Sequence, residues 1–252
     1  MNNEHIGRVE INGRRYYTVT SNGLEIGTWP SMTTILGNTK DNSGLDVWRN
    51  KIGHAEADRI SNLSMNRGTI LHRLIELYKP TLGTPVERLH VLKDIASTDT
   101  EINQFNLDAN GDVWLNEGWL MFMKFFNHHE LFFDRIVKVI AAEKFIWSWR
   151  GYAGTLDCVV EMTGNKILVL DFKNSRKPKK DMHIEDYYLQ VSGYLFAFYE
   201  RTGIVPTGAE IWISNETEDK PQIFTLTISD AKHYFKEFLK RLKRYNDENK
   251  IE

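Results

Sequence analysis

The sequence predicts a mixed α/β fold, of α+β type, with a central mixed β-sheet flanked by helices. Three features carry that prediction. Residues 6–28 alternate around Asn12-Gly13 and Asn22-Gly23, which are hairpin turn signals. Helical patterns then dominate from about 31 to 130. Beyond them come three strand-like runs in succession, a helix, two more strands and a last helix.

Taken in order, Pro30-Ser31 opens a short helix at 31–37. Helices are expected at about 45–61 and 68–79. Residues 80–112 are polar and poorly periodic. A long amphipathic or buried helix runs from about 113 to 130. Strands fall at about 138–147, 152–162 and 166–173, a helix at 184–202, strands at 208–214 and 222–228, and a final helix at 230–247.

Composition narrows the class. Hydrophobic residues at 41% and charged residues at 26% are ordinary globular usage, which excludes wholesale disorder. No apolar run approaches the roughly 18–20 residues of a membrane-spanning helix. Met1-Asn2-Asn3-Glu4-His5 has no apolar signal core. Cys158 is the single cysteine, so an intramolecular disulfide and a multi-cysteine zinc or iron–sulfur site are excluded. A cytoplasmic protein without membrane contact is expected.

The net charge of −2 conceals opposed patches. Lys173, Arg176, Lys177, Lys179 and Lys180 form one basic cluster, and residues 232–244 another. The stretch 84–118 is acidic, with Asp99, Glu101, Asp108 and Asp112 among its charges. Basic clusters can contact a phosphate backbone. On charge alone, a solvated helix face and a polar loop at 174–182 are the favoured explanation.

The segment 151–173 is more specific. Two apolar strands flank Thr163-Gly164-Asn165. A three-residue loop sets Leu156 against Phe172, Cys158 against Leu170 and Val160 against Leu168, so that one face is wholly apolar. A two-residue loop would set Cys158 against Asp171 and leave neither face clean. A one-residue slip flips a whole strand, so the pattern selects the first register. Asp157 then lies opposite Asp171, with Lys173 beside it on the same face. Facing carboxylates repel, and a divalent cation relieves them. An edge hairpin with surface charges is the plain alternative. Against it stands Ile167-Leu168-Val169-Leu170, which reads as a strand buried on both faces.

At these residues the chain resembles the PD-(D/E)XK nuclease superfamily, whose pattern is an acid ending one strand and an acid-x-Lys on the next. Gly154-Thr155-Leu156-Asp157 and Leu170-Asp171-Phe172-Lys173 fit it. Arg67-Gly68-Thr69-Ile70-Leu71-His72 resembles the helix that supplies a metal-binding His in the RecB-like exonuclease branch. Glu143 sits on the preceding strand, where the family often has an acid. Gln190-Val191-Ser192-Gly193-Tyr194 resembles the Gln-x-x-x-Tyr helix that follows the lysine strand. Pro30-Ser31-Met32-Thr33-Thr34 is similar to a segment of exonucleases related to the mitochondrial genome maintenance exonuclease and phage enzymes.

The resemblance implies a restriction-endonuclease-like core over 131–252, with an N-terminal hairpin and helical cap or arch over 1–130, in a single nuclease domain. It implies Mg²⁺ or Mn²⁺ held by His72, Glu143, Asp157, Asp171 and the carbonyl of Phe172. Asp157, Asp171, Lys173, Gln190 and Tyr194 would be catalytic. Ser31, Thr33, Arg67, Thr69, Arg176, Lys177, Lys179 and Lys180 would contact DNA, as a single strand or a duplex end. The implied activity is a largely sequence-independent, metal-dependent DNA exonuclease in replication, recombination or repair, partnered by proteins of those processes. The location would be the host cytoplasm if the chain is phage-encoded. The alternatives are a structure-specific endonuclease and a non-catalytic DNA-binding protein on a nuclease fold. Each residue also has a plain reading. His72 can be an interfacial side chain, Glu143 a solvent-facing strand residue, and Gln190 and Tyr194 packing partners. Trp114, Trp119, Trp147 and Trp149 could stack bases; most are read as core, and none is assigned to the site.

Overall fold

The computed structural model describes residues 4–105 and 117–249. Strands β1 (Glu4–Ile11), β2 (Arg14–Ser21) and β3 (Leu24–Pro30) form an antiparallel meander. Asn12 and Gly13 have φ of 52° and 73°, and Asn22 and Gly23 have 51° and 81°. Two successive positive φ values are what a type I′ hairpin turn needs, and Asn-Gly supplies them with little steric penalty. Ser31 then caps α1 (Met32–Thr39), accepting a hydrogen bond from the Thr34 amide at 3.0 Å.

The helical region departs from expectation in two places. The helix expected over 45–61 is divided at Gly53, whose φ of 87° no α-helix accommodates. The result is α2 (Ser43–Ile52) and α3 (His54–Leu77), the latter running through both expected helices. Residues 80–112 are not merely polar connection. They contain α4 (Pro85–Thr98) and α5 (Thr100–Phe105). Thr84 and Glu87 form a reciprocal capping box, with Pro85 in the first turn. That Thr-Pro-x-Glu signal stands in the sequence and outweighs the weak periodicity behind it. Helix α6 spans Glu117–Asn127. The expected helical start at 113–116, and Asp108, Asp112 and Trp114, lie outside the described residues.

The central sheet has β4 (Ile136–Ser148), β5 (Tyr152–Met162), β6 (Lys166–Ser175), β7 (Gly208–Asn215) and β8 (Gln222–Thr227), in that spatial order. All neighbours are antiparallel except β6 and β7, which are parallel. Helix α7 (Glu185–Thr202) makes that crossover, and α8 (Ile228–Glu248) closes the chain. Leu168, Leu170 and Phe172 pack with Leu71, Phe122 and Trp212 on the α3/α6 face. Val169 packs with Ile211, Leu195 and Phe238 on the α7/α8 face. β6 is therefore buried on both sides, as its apolar run predicts.

The β5–β6 register is the predicted one, with Cys158 opposite Leu170, Val159 opposite Val169 and Val160 opposite Leu168. The ladder stops there. β5 continues along β4 to Tyr152, and β6 continues along β7 to Ser175. The two strands thus diverge just before Asp157 and Asp171, which are not a ladder pair as expected. The wholly apolar face also breaks at this point: Leu156 belongs to the α7/α8 core, whereas Cys158 belongs to the α3/α6 core. No helix among the described residues is long and apolar enough to cross a membrane.

Candidate functional site

The fork between β5 and β6 is where the charged residues gather. Asp157, on the β5 branch, reaches across it, and its Oδ2 accepts the Phe172 amide at 2.7 Å. Asp171, on the β6 branch, is 1% exposed. Its Oδ1 accepts from Lys173 Nζ at 2.8 Å. Its Oδ2 lies 2.7 Å from the same nitrogen but outside hydrogen-bond geometry, so it is a buried oxygen without a donor. Burial raises the Asp171 carboxyl above the usual range, Lys173 opposes this, and the nearby Asp157 charge adds to it. Burial alone would lower the Lys173 ammonium, but Asp171 and Asp157 more than compensate and hold it charged.

Glu143 enters from β4 with a φ of 43°, the one left-handed non-glycine among the described residues that is not in a turn. Ala142 pairs with Cys158 and Lys144 with Leu156, while Glu143 and Asp157 between them do not pair. The left-handed turn of the β4 backbone and the lapse in pairing accompany the approach of the two carboxylates to His72. A strained backbone at such a position is characteristic of functional sites.

His72 arrives from α3. One turn earlier, a Cβ at Gly68 would lie 2.8 Å from the side-chain Nδ2 of Asn174 on β6. His72 Nε2 is 2.8 Å from the Phe172 carbonyl oxygen. A carbonyl only accepts, so Nε2 carries the proton, and the neutral ring offers the Nδ1 lone pair. Nδ1 lies 3.7 Å from Glu143 Oε1 and 3.6 Å from Asp157 Oδ2. Burial lowers the His72 pKa, but the Asp157 and Glu143 carboxylates outweigh it and push it up to about 9.

The donor set fits a divalent cation. Ligand atoms of His72, Glu143 and Asp157 lie within 4.8 Å of one another, and the undonated Asp171 oxygen stands on the other branch of the fork. Carboxylate oxygens with one imidazole suit Mg²⁺ or Mn²⁺. The Phe172 carbonyl, expected as a ligand, accepts from His72 here and keeps a second lone pair.

The other expected residues divide. Gln190 hydrogen-bonds the Tyr194 side chain, and burial drives that phenol well above its usual range, so it stays neutral. Tyr194 lies under β5, where a Cβ at Gly154 would approach its hydroxyl to 2.6 Å. These two hold the fork from below. Thr69 lines the open cleft with His72 and Glu143. Arg176, Lys177 and Lys180 are exposed, and Thr33 is exposed at the start of α1. Lys179 is pinned through its backbone to Gln222.

Two DNA-contact expectations are corrected. Ser31 is 2% exposed and its hydroxyl serves as the α1 cap. Arg67 is 3% exposed and engaged with Asn174, Glu117 and Glu216, tying α3 to β6 and to the end of β7. Glu76, adjacent to the cleft, is held by Arg73 at 2.6 Å, and Arg73 also binds Asp99 at 2.8 Å.

Sequence reasoning missed Tyr187, whose ring centroid is 5.5 Å from Lys173 Nζ. Its spacing of three from Gln190 and seven from Tyr194 places all three on one face of α7, which was the available signal.

No curated protein matches the sequence. Among solved structures, a protein of Eubacterium rectale provisionally assigned as an exonuclease is 14% identical, with a TM-score of 0.43. The match covers 71% of this chain and 66% of that one, so the chain spans just under two thirds of that protein. A second structure, SSO0001, is 13% identical with a TM-score of 0.33, covering 70% of this chain and 75% of the other. A family model describing the PD-(D/E)XK nuclease superfamily matches residues 47–251, a span that holds the whole fork and the helix bearing His72. The chain belongs to the PD-(D/E)XK nuclease superfamily.

Proposed function

We propose that the chain is a metal-dependent DNA exonuclease of the RecB-like kind, akin to the mitochondrial genome maintenance exonuclease and related phage enzymes. The observation that carries this reading is the fork itself. Imidazole Nδ1 and two carboxylates converge on one point, with a charged lysine on the neighbouring branch. A degenerate, non-catalytic relative would be expected to have lost one of these groups.

His72, Glu143 and Asp157, with Asp171, would hold Mg²⁺ or Mn²⁺. When bound, the ion supplies an acidified water and charge compensation at the phosphate. His72 must first give up a proton to solvent, since only the neutral ring has a lone pair. Lys173 is held protonated, so its role is to orient the water and stabilise charge on a phosphoryl oxygen, rather than to act as the base. Gln190 and Tyr194 keep β5 in place beneath Asp157. Arg176, Lys177 and Lys180, exposed just beyond the lysine strand, grip the phosphate backbone. They read no base edge, so cutting is largely independent of sequence. The region 1–130 caps the core 131–252 within one nuclease domain.

The test is digestion of end-labelled single- and double-stranded DNA, and of closed circular DNA, with Mg²⁺, Mn²⁺ or EDTA. Stepwise loss from an end with either metal, none with EDTA and intact circles are expected. Cut circles would establish the endonuclease alternative. Full activity in EDTA would remove the metal from the mechanism.

A further inference from the structure

Three hollows follow one another along α3. Its residues Arg59 to Arg67 line a broad groove shared with Trp48, Glu117, Arg176, Lys179 and Glu216. Residues Gly68 to Glu76 line the cleft at Glu143. Residues Ile75 to Tyr78 line a third hollow, an apolar cavity of about 330 Å³. A 24-residue helix extends roughly 36 Å, long enough to carry several nucleotides past the fork.

The cavity is tied to the fork by covalent neighbours. Its inner wall includes Ala142, Cys158 and Phe172, which adjoin Glu143, Asp157 and Asp171 in the chain. Phe172 is also the residue whose carbonyl orients His72. Across from them stand Ile75, Phe133 and Val139. Lys79 and Lys138, both exposed, also line it, as does Glu76, whose carboxylate is paired with Arg73. The hollow thus offers an apolar, partly aromatic interior with exposed cations, within the size range of small-molecule sites. A base has an apolar face that stacks on such walls, and its attached phosphates need cations beside them. The broad groove at the other end of α3 has the length to hold the remainder of a strand, and the cavity does not.

We propose that this cavity is the subsite for the nucleobase of the terminal nucleotide being cut off. The proposal rests on the nuclease reading, because that reading puts the scissile phosphate at the fork. It implies that the terminal base leaves its stack before cleavage, and that the enzyme senses whether a base is present there.

The experiment compares binding of a deoxynucleoside 5′-monophosphate and of deoxyribose 5-phosphate, in Mn²⁺, by calorimetry. The wild-type protein should bind the nucleotide at least tenfold more tightly. Val139→Trp, a substitution at a 39% exposed position that fills the cavity without burying new volume in the core, should bring the two ligands within about twofold. A parallel digest of end-labelled oligonucleotides should show a slowed first cut when the terminal nucleotide is abasic, and none of that slowing in Val139→Trp. Equal affinities in the wild-type protein would overturn the subsite. Discrimination retained by a folded Val139→Trp would overturn it too. Discrimination without cleavage of any oligonucleotide would overturn the nuclease reading and the subsite with it, leaving only a nucleotide-binding cavity, whereas cleavage without discrimination would overturn the subsite alone.

Discussion

Replacing Glu143 tests the deformation that builds the site. Its φ of 43° sits in the middle of a 13-residue strand. A left-handed backbone costs an L-residue about 1–2 kcal/mol. Glycine avoids that but loses roughly 0.5–1 kcal/mol more chain entropy on folding. Glu143→Gly should therefore be more stable than Glu143→Ala by about 0.5–1 kcal/mol. For a chain this long that is a difference of roughly 1–4 °C in Tm. At an ordinary strand position the order reverses, because alanine is then favoured by about 0.5–1 kcal/mol. The sign alone decides. Both variants lack the carboxylate, so both should lose divalent-metal affinity alike, whichever is the more stable. Thermal unfolding in EDTA reads the first quantity and calorimetric Mn²⁺ titration the second. If Glu143→Ala proves the more stable, the backbone at 143 is not strained and β4 is not bent to aim this residue.

Further outcomes follow from the same geometry. Because His72 is raised from 6.5 to about 9 without metal, its contribution to the stability of the metal-free protein is complete below about pH 6.5 and is lost as pH rises through about 9. Metal must displace that proton, so Mn²⁺ affinity should climb with pH up to about 9 and then level, with protons released on binding; a His72→Ala protein with the same affinity and profile would return His72 to an interfacial role. Lys173→Ala should still bind metal but lose about 10²-fold or more in single-turnover cleavage. It also strands the buried Asp171 carboxylate, costing on the order of 3 kcal/mol at neutral pH, and stability should recover as pH falls and Asp171 protonates; wild-type cleavage by this variant would dismiss the fork as the active site. Replacing Arg176, Lys177, Lys179 and Lys180 together by Ala should weaken DNA binding and flatten its salt dependence, by about 0.7–0.9 in log–log slope for each phosphate no longer neutralised, whereas an unchanged slope would mark the loop as merely solvated.

Much of the architecture was legible from residues close together in the chain. Asn-Gly at 12–13 and 22–23 specifies its turns because both positions tolerate positive φ. The β5–β6 register is set by a period of two over a short loop, so only one alignment buries Leu168, Leu170, Val160 and Cys158 together. Asp157, Asp171 and Lys173 were thereby assigned to one place. The Thr84–Glu87 cap was equally local, but weak periodicity behind it hid the helix.

What only the tertiary structure decided lies where neighbouring strands part. β5 and β6 pair no further than Cys158 and Leu170, while β5 stays with β4 and β6 stays with β7, and that divergence opens the space the carboxylates fill. The left-handed Glu143 falls on the irregular β4, whose register against β5 shifts twice before it, which no propensity of glutamate would suggest. His72 meets Phe172 across 100 residues of chain because the apolar face of α3, with Leu71 and Leu74, packs in one core with Leu170 and Phe172. Arg67, on that same helix, faces inward to Glu117 and Glu216 rather than out to a phosphate. Sequence period and turn chemistry determine which residues share a strand face; the packing of distant elements determines which faces meet, and at what distance.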